Sequence, residues 1–355
     1  MNRFFKKLKV VELASVLAGP ATGLFFAELG AKVLKIENKK TNGDVTRGWK
    51  LPSEDPCQKT SAYFNSVNFK KKYLFLDLTN QKDRSICLQK IKRADIVIVN
   101  YKKGDDKKLG LDYATLKKVN PQLIYGRISG FGVNDDRSAF DLIIQAESGF
   151  MSMNGTQKSG PLKMPVALID VLAAHQLKEA ILLALIKRLK TKKGSCVTVS
   201  LFDVAICSLV NQATNWLMVG HLPELTGSLH PNIAPYGEIF TTKDNHLITF
   251  AIGTDEQFKN LCVELGLEKV SENPKYVTNQ LRVKYRKSLF KILFSKMKNH
   301  SLDSIENFSS EKRIPLGKVR NLREVFELKE AQKLIHKTNS GEFKYLSSIA
   351  FSTSS

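Results

Sequence analysis

Short apolar runs alternate with helix-like stretches through the first two hundred residues, and this alternation constrains the fold more than any other feature. The runs are KVVEL at 9–13, KVLKIE at 32–37, YLFLDL at 73–78, IVIVN at 96–100 and LIYGRIS at 123–129. Runs that are apolar at consecutive positions belong to strands covered on both faces. Strands separated by helices form βαβ units around a parallel sheet. After the first run, Ala18-Gly19-Pro20 breaks the chain. Pro20 suits the first turn of a helix predicted over 21–29, and Gly30 suits its end. A long helical pattern over 164–189 leads into a further strand, CVTVS at 196–200, and a helix over 203–219. The expected fold class is α/β, with a Rossmann-like parallel sheet domain.

Prolines 223, 231 and 235 with Gly220 and Gly227 mark 220–236 as a linker. Beyond it, 238–242 and 247–252 read as an antiparallel pair, with helices over 255–265 and 279–298. These form a smaller α+β domain. Residues 314–319 and 342–348 read as further strands, for which a return to the first domain is open. The expected division is a large domain over 1–219, rejoined by 328–355, and a small domain with linkers over 220–327.

Composition narrows the function. The formal charge of +21 comes mostly from lysines dispersed in small groups, such as Lys70-Lys71-Lys72 and Lys102-Lys103. No aromatic recognition motif is interleaved with them, so a solvated surface is expected rather than a nucleic-acid partner. Nowhere do eighteen apolar residues run together, so no membrane partner is expected. The basic start MNRFFKKLKVVELA is followed by no cleavage pattern, which points to the cytoplasm. The five cysteines are scattered without a CxxC pair, and the six histidines form no HExxH, HxH or HxxxH pattern, so a metal site is not expected. The turn after the first strand is not GxGxxG, which weighs against NAD.

Asp170 is the most informative single residue. Every other residue from 165 to 174 is apolar, and an acid in such a segment needs a partner or a task. Two readings are open. Asp170 can cap a helix that begins at Val171, or it can act as a nucleophile kept ionised by the helix dipole.

Several segments carry a resemblance. GPATGLFFAELGAKVLKIE at 19–37, GDVTRGW at 43–49, IVNYKKG at 98–104 and SGFG at 129–132 follow one another in order. AFDLIIQAESGFMSMNG at 139–155, ALIDVLAAHQ at 167–176, HPNIAPYGEIFTTKDN at 230–245 and IPLGKVRNLREVFE at 314–327 continue the series. Together they resemble the family III CoA-transferases, the group of formyl-CoA transferase, carnitine CoA-transferase and α-methylacyl-CoA racemase. The resemblance implies that Asp170 is the nucleophile, with Asp141 a supporting acid beside it. It implies a CoA cradle of Leu17, Ala18, Asn38, Leu76, Asp77, Leu78, Thr79, Asn100, Tyr101, Lys102, Lys108, Leu109 and Arg137. Leu17 and Asn38 stand where relatives carry a polar and a basic residue, and Lys39 and Lys40 are placed to compensate.

The implied reaction moves CoA from an acyl-CoA donor, such as succinyl-CoA, to a carboxylic acid through an aspartyl-CoA thioester. Coenzyme A is then a substrate, and no cofactor is required. Backbone N–H groups at the start of the Asp170 helix are expected to steady the oxyanions. Racemases of the group carry a histidine before the supporting acid. Here that position is Phe140, which cannot carry a proton. This weighs against an acyl-CoA racemase or epimerase, which is kept as an alternative beside a non-catalytic CoA-binding protein. Arg47, Arg137, His221 and His230 are candidate anchors for the acceptor carboxylate. The resemblance also implies an interlocked homodimer, and a tail a few tens of residues longer than the IAFSTSS at which this chain stops.

Overall fold

The structure is a computed structural model that describes residues 4–338 and 343–352. The chain divides into two compact units. One comprises residues 1–151, 163–221 and 333–355, and the other residues 152–162 and 222–332.

The first unit is built on a six-stranded parallel sheet. Its strands are β1 (Lys9–Glu12), β2 (Lys32–Asn38), β3 (Lys72–Leu76), β4 (Ile96–Val99), β5 (Ile124–Ser129) and β6 (Ser195–Ser200). Their order across the sheet is β3-β2-β1-β4-β5-β6. Winding therefore reverses between β1 and β4, and a crevice at the carboxyl ends of those strands is the default ligand position in such a sheet. Val11 pairs with Leu34 on one side and Val97 on the other. One apolar layer holds Phe26, Ile98, Ile124, Leu177 and Ile181, and another holds Val11, Val97, Val99, Leu116 and Tyr125. The Rossmann-like α/β fold expected from the strand pattern is present.

Helix α1 (Ala18–Glu28) starts three residues before the predicted position, with Pro20 inside its first turn. Gly30 follows with φ 94°, the left-handed value that ends a helix. Beneath α1 the sheet carries buried charge. Glu12 accepts from Lys71 Nζ at 2.9 and 2.8 Å and from Lys35 Nζ at 3.2 Å, and Lys35 also meets Asp44 Oδ2 at 3.1 Å. The helix clears this cluster because position 23 is glycine: a Cβ there would lie 1.8 Å from Glu12 Oε2. At the far end of α1, buried Glu28 accepts from the Ser348 backbone N–H at 2.7 Å and the Ser347 hydroxyl at 3.2 Å.

Four predicted elements differ. The helix expected over 203–219 is two, Leu201–Cys207 and Val210–Val219. Between them Ser208 Oγ bonds back to Val204 O at 2.7 Å, and Val210 adopts φ 45°. The helix expected over 279–298 is likewise two, Asn279–Lys284 and Arg286–Met297, parted at Tyr285. The strand expected over 314–319 does not rejoin the first unit: Leu316–Lys318 pairs antiparallel with Leu247–Ala251. The strand expected over 342–348 forms as Lys344–Leu346 against Ile335–Lys337, and residue 342 lies outside the described residues.

In the second unit, Tyr236–Thr241 and Leu247–Ala251 form the expected antiparallel pair, completed by Leu316–Lys318. Phe240, Ile248, Phe250, Phe258, Leu289 and Leu293 form its core. Residues 152–162 join this unit through a small hairpin, and the Gly227 N–H donates to Gly155 O at 2.6 Å. No composition break marks that excursion.

Candidate active site

The helix bearing Asp170 runs over Leu168–Thr191. Asp170 is its third residue and not its cap, so the capping reading is overturned. The residue in the cap position, Ala167, has no polar side chain to offer. The cap comes instead from Asp141, 29 residues upstream: its Oδ1 accepts from the Ile169 N–H at 2.7 Å and the Asp170 N–H at 3.3 Å. Leu168 N–H donates to Val166 O at 2.8 Å, and Val171 N–H to Ala167 O at 3.1 Å. The first-turn N–H groups of this helix are thus engaged, which corrects the expectation that they steady an oxyanion.

Asp170 is 7% exposed. Burial, with the Asp141 carboxylate beside it, pushes its carboxyl up to about 7. No ion pair reaches it among the described residues. Tyr63 lies within electrostatic range of both acids, and burial first, then those charges, pushes its phenol up to about 12. Near neutrality Asp170 is therefore poised between acid and carboxylate, a state expected of a group whose charge is used.

Asp170 opens into a cavity of about 280 Å³, and a second of about 640 Å³ adjoins it. Ser15, Asn100, Tyr101 and Lys102 line both and make one continuous trough. Leu17, Ala18, Arg137 and Phe140 join Asp170 in the first cavity. Asn38, Leu76, Asp77, Leu78, Thr79 and Leu109 line the second. The trough runs along the carboxyl ends of β1, β4 and β5, where the strand order reverses.

Lys108 departs from the expected cradle. It lines neither cavity, and its exposed ammonium lies 3.0 Å from Asp105. Of the two lysines expected to compensate for Asn38, Lys40 lines the second cavity, 3.1 Å from Asp77 and 2.8 Å from the Thr79 hydroxyl. Lys39 does not line it. Among the candidate acceptor anchors, Arg47 is already engaged, with Nη2 and Nε at 2.6 and 2.7 Å from Glu37 and its guanidinium over Phe64. His221 and His230 line neither cavity. Arg137 alone of the four lines the site; its guanidinium sits 3.6 Å over Phe131 and is paired with Asp135 and Glu147.

Sequence reasoning missed Ser15, Val16 and Asp44, which shape the mouth of the trough. Val16 has φ 69°, a left-handed value unusual for a β-branched residue. Asp44 holds it there, accepting the Val16 N–H at 3.1 and 3.3 Å. Asn100 clamps the neighbouring Ser15 from both sides, accepting its N–H at 3.1 Å and donating to its carbonyl at 2.9 Å. The GDVTRGW segment was the available signal for Asp44, but nothing local in it announces a partner at Val16.

Among the described residues, no helix is long and apolar enough to cross a membrane. No group of three or more His, Cys, Asp or Glu is placed to hold a metal.

Comparison with known proteins shows which family the chain resembles. The pattern of CoA-transferase family III matches residues 5–352. An Agrobacterium fabrum protein named succinate–glutarate CoA-transferase is 35% identical over 325 residues, covering 90% of this chain and 80% of its own. A Homo sapiens protein named succinyl-CoA:glutarate CoA-transferase is 31% identical over 322 residues, covering 90% and 72%. The crystal structure of a CAIB/BAIF family protein from Brucella suis superposes with a TM-score of 0.85 at 34% identity, over 99% of this chain and 93% of that one.

Proposed function

The chain belongs to CoA-transferase family III, and on that premise we propose that it moves CoA from succinyl-CoA to a dicarboxylic acid of the size of glutarate, with Asp170 as the covalent nucleophile. The observation that carries this reading is the buried Asp170 carboxyl, without an ion pair among the described residues, in a trough of two adjoining cavities of about 280 and 640 Å³. The donor and acceptor follow the names of the Agrobacterium fabrum and Homo sapiens relatives.

In this reading the second cavity, with Lys40 and Asn38 on its rim, takes the adenosine phosphate end of CoA. The thioester then lies between Asn100 and Asp170. The Asp170 carboxylate attacks the thioester carbonyl and the C–S bond breaks, leaving CoA thiolate and a mixed anhydride. The thiolate attacks the aspartyl carbonyl, the anhydride C–O bond breaks, and the donor acid departs as an aspartyl-CoA thioester forms. The acceptor carboxylate displaces thiolate from that thioester to give a second anhydride. The thiolate then attacks the acceptor acyl carbon and releases acyl-CoA and the Asp170 carboxylate. No proton is gained or lost, and each barrier is divided. The developing oxyanions face the start of α1, which lines the same cavity at Leu17 and Ala18 and has no side-chain cap on its first N–H groups. The scheme needs no resident cofactor.

We also propose a homodimer. Leu183, Ile186 and Leu189 on the long helix are 67%, 55% and 71% exposed, and Leu217, Met218 and Val219 are 76–79% exposed. Apolar exposure of this extent supports a protein partner.

The test is incubation with succinyl-CoA and a panel of carboxylates, with mass analysis of the CoA esters formed. Hydroxylamine added with succinyl-CoA should leave a hydroxamate on the peptide that contains position 170. Absence of new CoA esters together with an unmodified Asp170 would overturn the assignment.

A further inference from the structure

Gln145 is fully buried in the helix Asp141–Glu147, and both ends of its amide are engaged. Its Nε2 donates to Asp141 Oδ2 at 2.5 Å, and its Oε1 accepts from the Met164 N–H at 2.8 Å. The other Asp141 oxygen accepts the Ile169 and Asp170 N–H groups. Asp141 and Gln145 stand four residues apart on one helix face. One turn of that helix thereby holds the chain both at Met164, before the long helix, and at its first turn.

We infer that Gln145 is a positioning residue for the nucleophile: it fixes Asp141, and through Asp141 the helix turn that presents Asp170 to the thioester. The inference rests on Asp170 being the nucleophile and adds to that reading the group that orients it.

The chemistry at this position is restrictive. One side chain must donate to a carboxylate and accept from a backbone N–H in the same geometry, and a carboxamide does both. Leucine does neither. With Nε2 removed, Asp141 loses the bond that fixes its rotamer, and its hold on Ile169 and Asp170 loosens. Glutamate is a conditional mimic. As the neutral acid it donates through O–H and accepts through C=O, as glutamine does. Ionised, it has no proton for Asp141 and adds a third negative charge beside Asp141 and Asp170. The other acidic groups of this region are the Tyr63 phenol, within electrostatic range of Asp141 and Asp170, Asp203 at an exposed position of the helix Leu201–Cys207 that packs on this one, and Glu147 on the same helix, paired with Arg137.

The experiment compares full-length wild type, Gln145→Leu, Gln145→Glu and Asp170→Asn. Steady-state kinetics with succinyl-CoA and glutarate, and the rate of hydroxamate formation at Asp170, are followed on both sides of neutral pH. Gln145→Leu should lower kcat by about 10- to 100-fold, the loss expected when a reacting group is displaced by roughly an ångström. KM for succinyl-CoA should stay near wild type, since the trough is untouched. Gln145→Glu, which carries the test even if the leucine variant does not fold, should regain activity relative to wild type as pH falls. A ratio of Gln145→Glu to wild type that is flat with pH overturns the inference, as does wild-type kcat in a folded Gln145→Leu. If Asp170→Asn is inactive in that same experiment, the relay alone is lost. Full activity in Asp170→Asn removes the nucleophile and the relay together.

Discussion

Two sets of acids in the first unit are treated in opposite ways. On the β1–β2 side, Glu12 and Asp44 are 0% and 6% exposed, and both meet lysine ammonium groups. On the far side, Asp170 is 7% exposed and Asp141 half-buried, yet no cation pairs with either among the described residues. Burial is similar for Glu12, Asp44 and Asp170; compensation is not. A buried carboxylate that is paired and fully hydrogen-bonded is chemically quiet and shapes the chain around it, here the left-handed turn at Val16. One left beside a second acid keeps a raised affinity for protons and remains available for attack.

The largest expected effect falls on the unpaired side. On the proposed mechanism Asp170→Asn should lower kcat/KM by at least about three orders of magnitude, because an amide cannot form the covalent intermediate. Wild-type kcat/KM should also fall on acidification through about pH 7, where Asp170 takes up its proton. Activity that persists well below that pH would erase the distinction between the two sets.

On the paired side the effect should appear in stability. Lys71→Met leaves Glu12 short of its bidentate partner inside the sheet and should cost about 3–5 kcal/mol, read by urea unfolding. A loss below about 1 kcal/mol would mean that the cluster is not needed for the fold.

Asp170→Asn should have the reverse effect on stability. The folded-state carboxyl titrates at about 7, against 3.8 for an ordinary aspartate. The folded protein thus binds more protons than the unfolded chain between those values, and stability falls as pH rises through the window. The asparagine variant has no such dependence at this position. It should match wild type near pH 4 and exceed it above pH 7 by at most about 4 kcal/mol, the equivalent of a roughly thousandfold difference in proton affinity. Equal stabilities at the higher pH would break the comparison from the other side.

The smallest effect concerns Lys108. Exposed and already paired with Asp105, it should contribute under about 1 kcal/mol to acyl-CoA binding. KM for acyl-CoA should change less in Lys108→Ala than in Lys102→Ala, whose side chain lines both cavities.

Legibility in the sequence follows the range of the interactions. The parallel strands were readable because each carries its signal in four to seven consecutive side chains, as IVIV at β4 does. Asp170 was readable because it interrupts an apolar run. Its helical position was not, because the group that caps the helix is Asp141, in another helix. Val16 was missed for the same reason, its backbone being set by Asp44. The strand Leu316–Lys318 is legible as a strand but its sheet is not, since three residues carry no mark of which edge they pair with.

The tie between Glu28 and the C-terminal segment sets an order on the protein's birth at the ribosome. Glu28 emerges with α1, but Ser347 and Ser348, which bond its carboxylate, are 319 and 320 residues further along the chain. Throughout vectorial synthesis of the intervening chain, including all of the second unit, that carboxylate faces an unfilled position beside the nascent apolar layer. The parallel sheet can assemble once β6 has emerged, yet the last part of its cover is delivered only after the other unit has been made. The first unit to begin folding is thus the last to be finished, and its flank at Glu28 stays open in the interval.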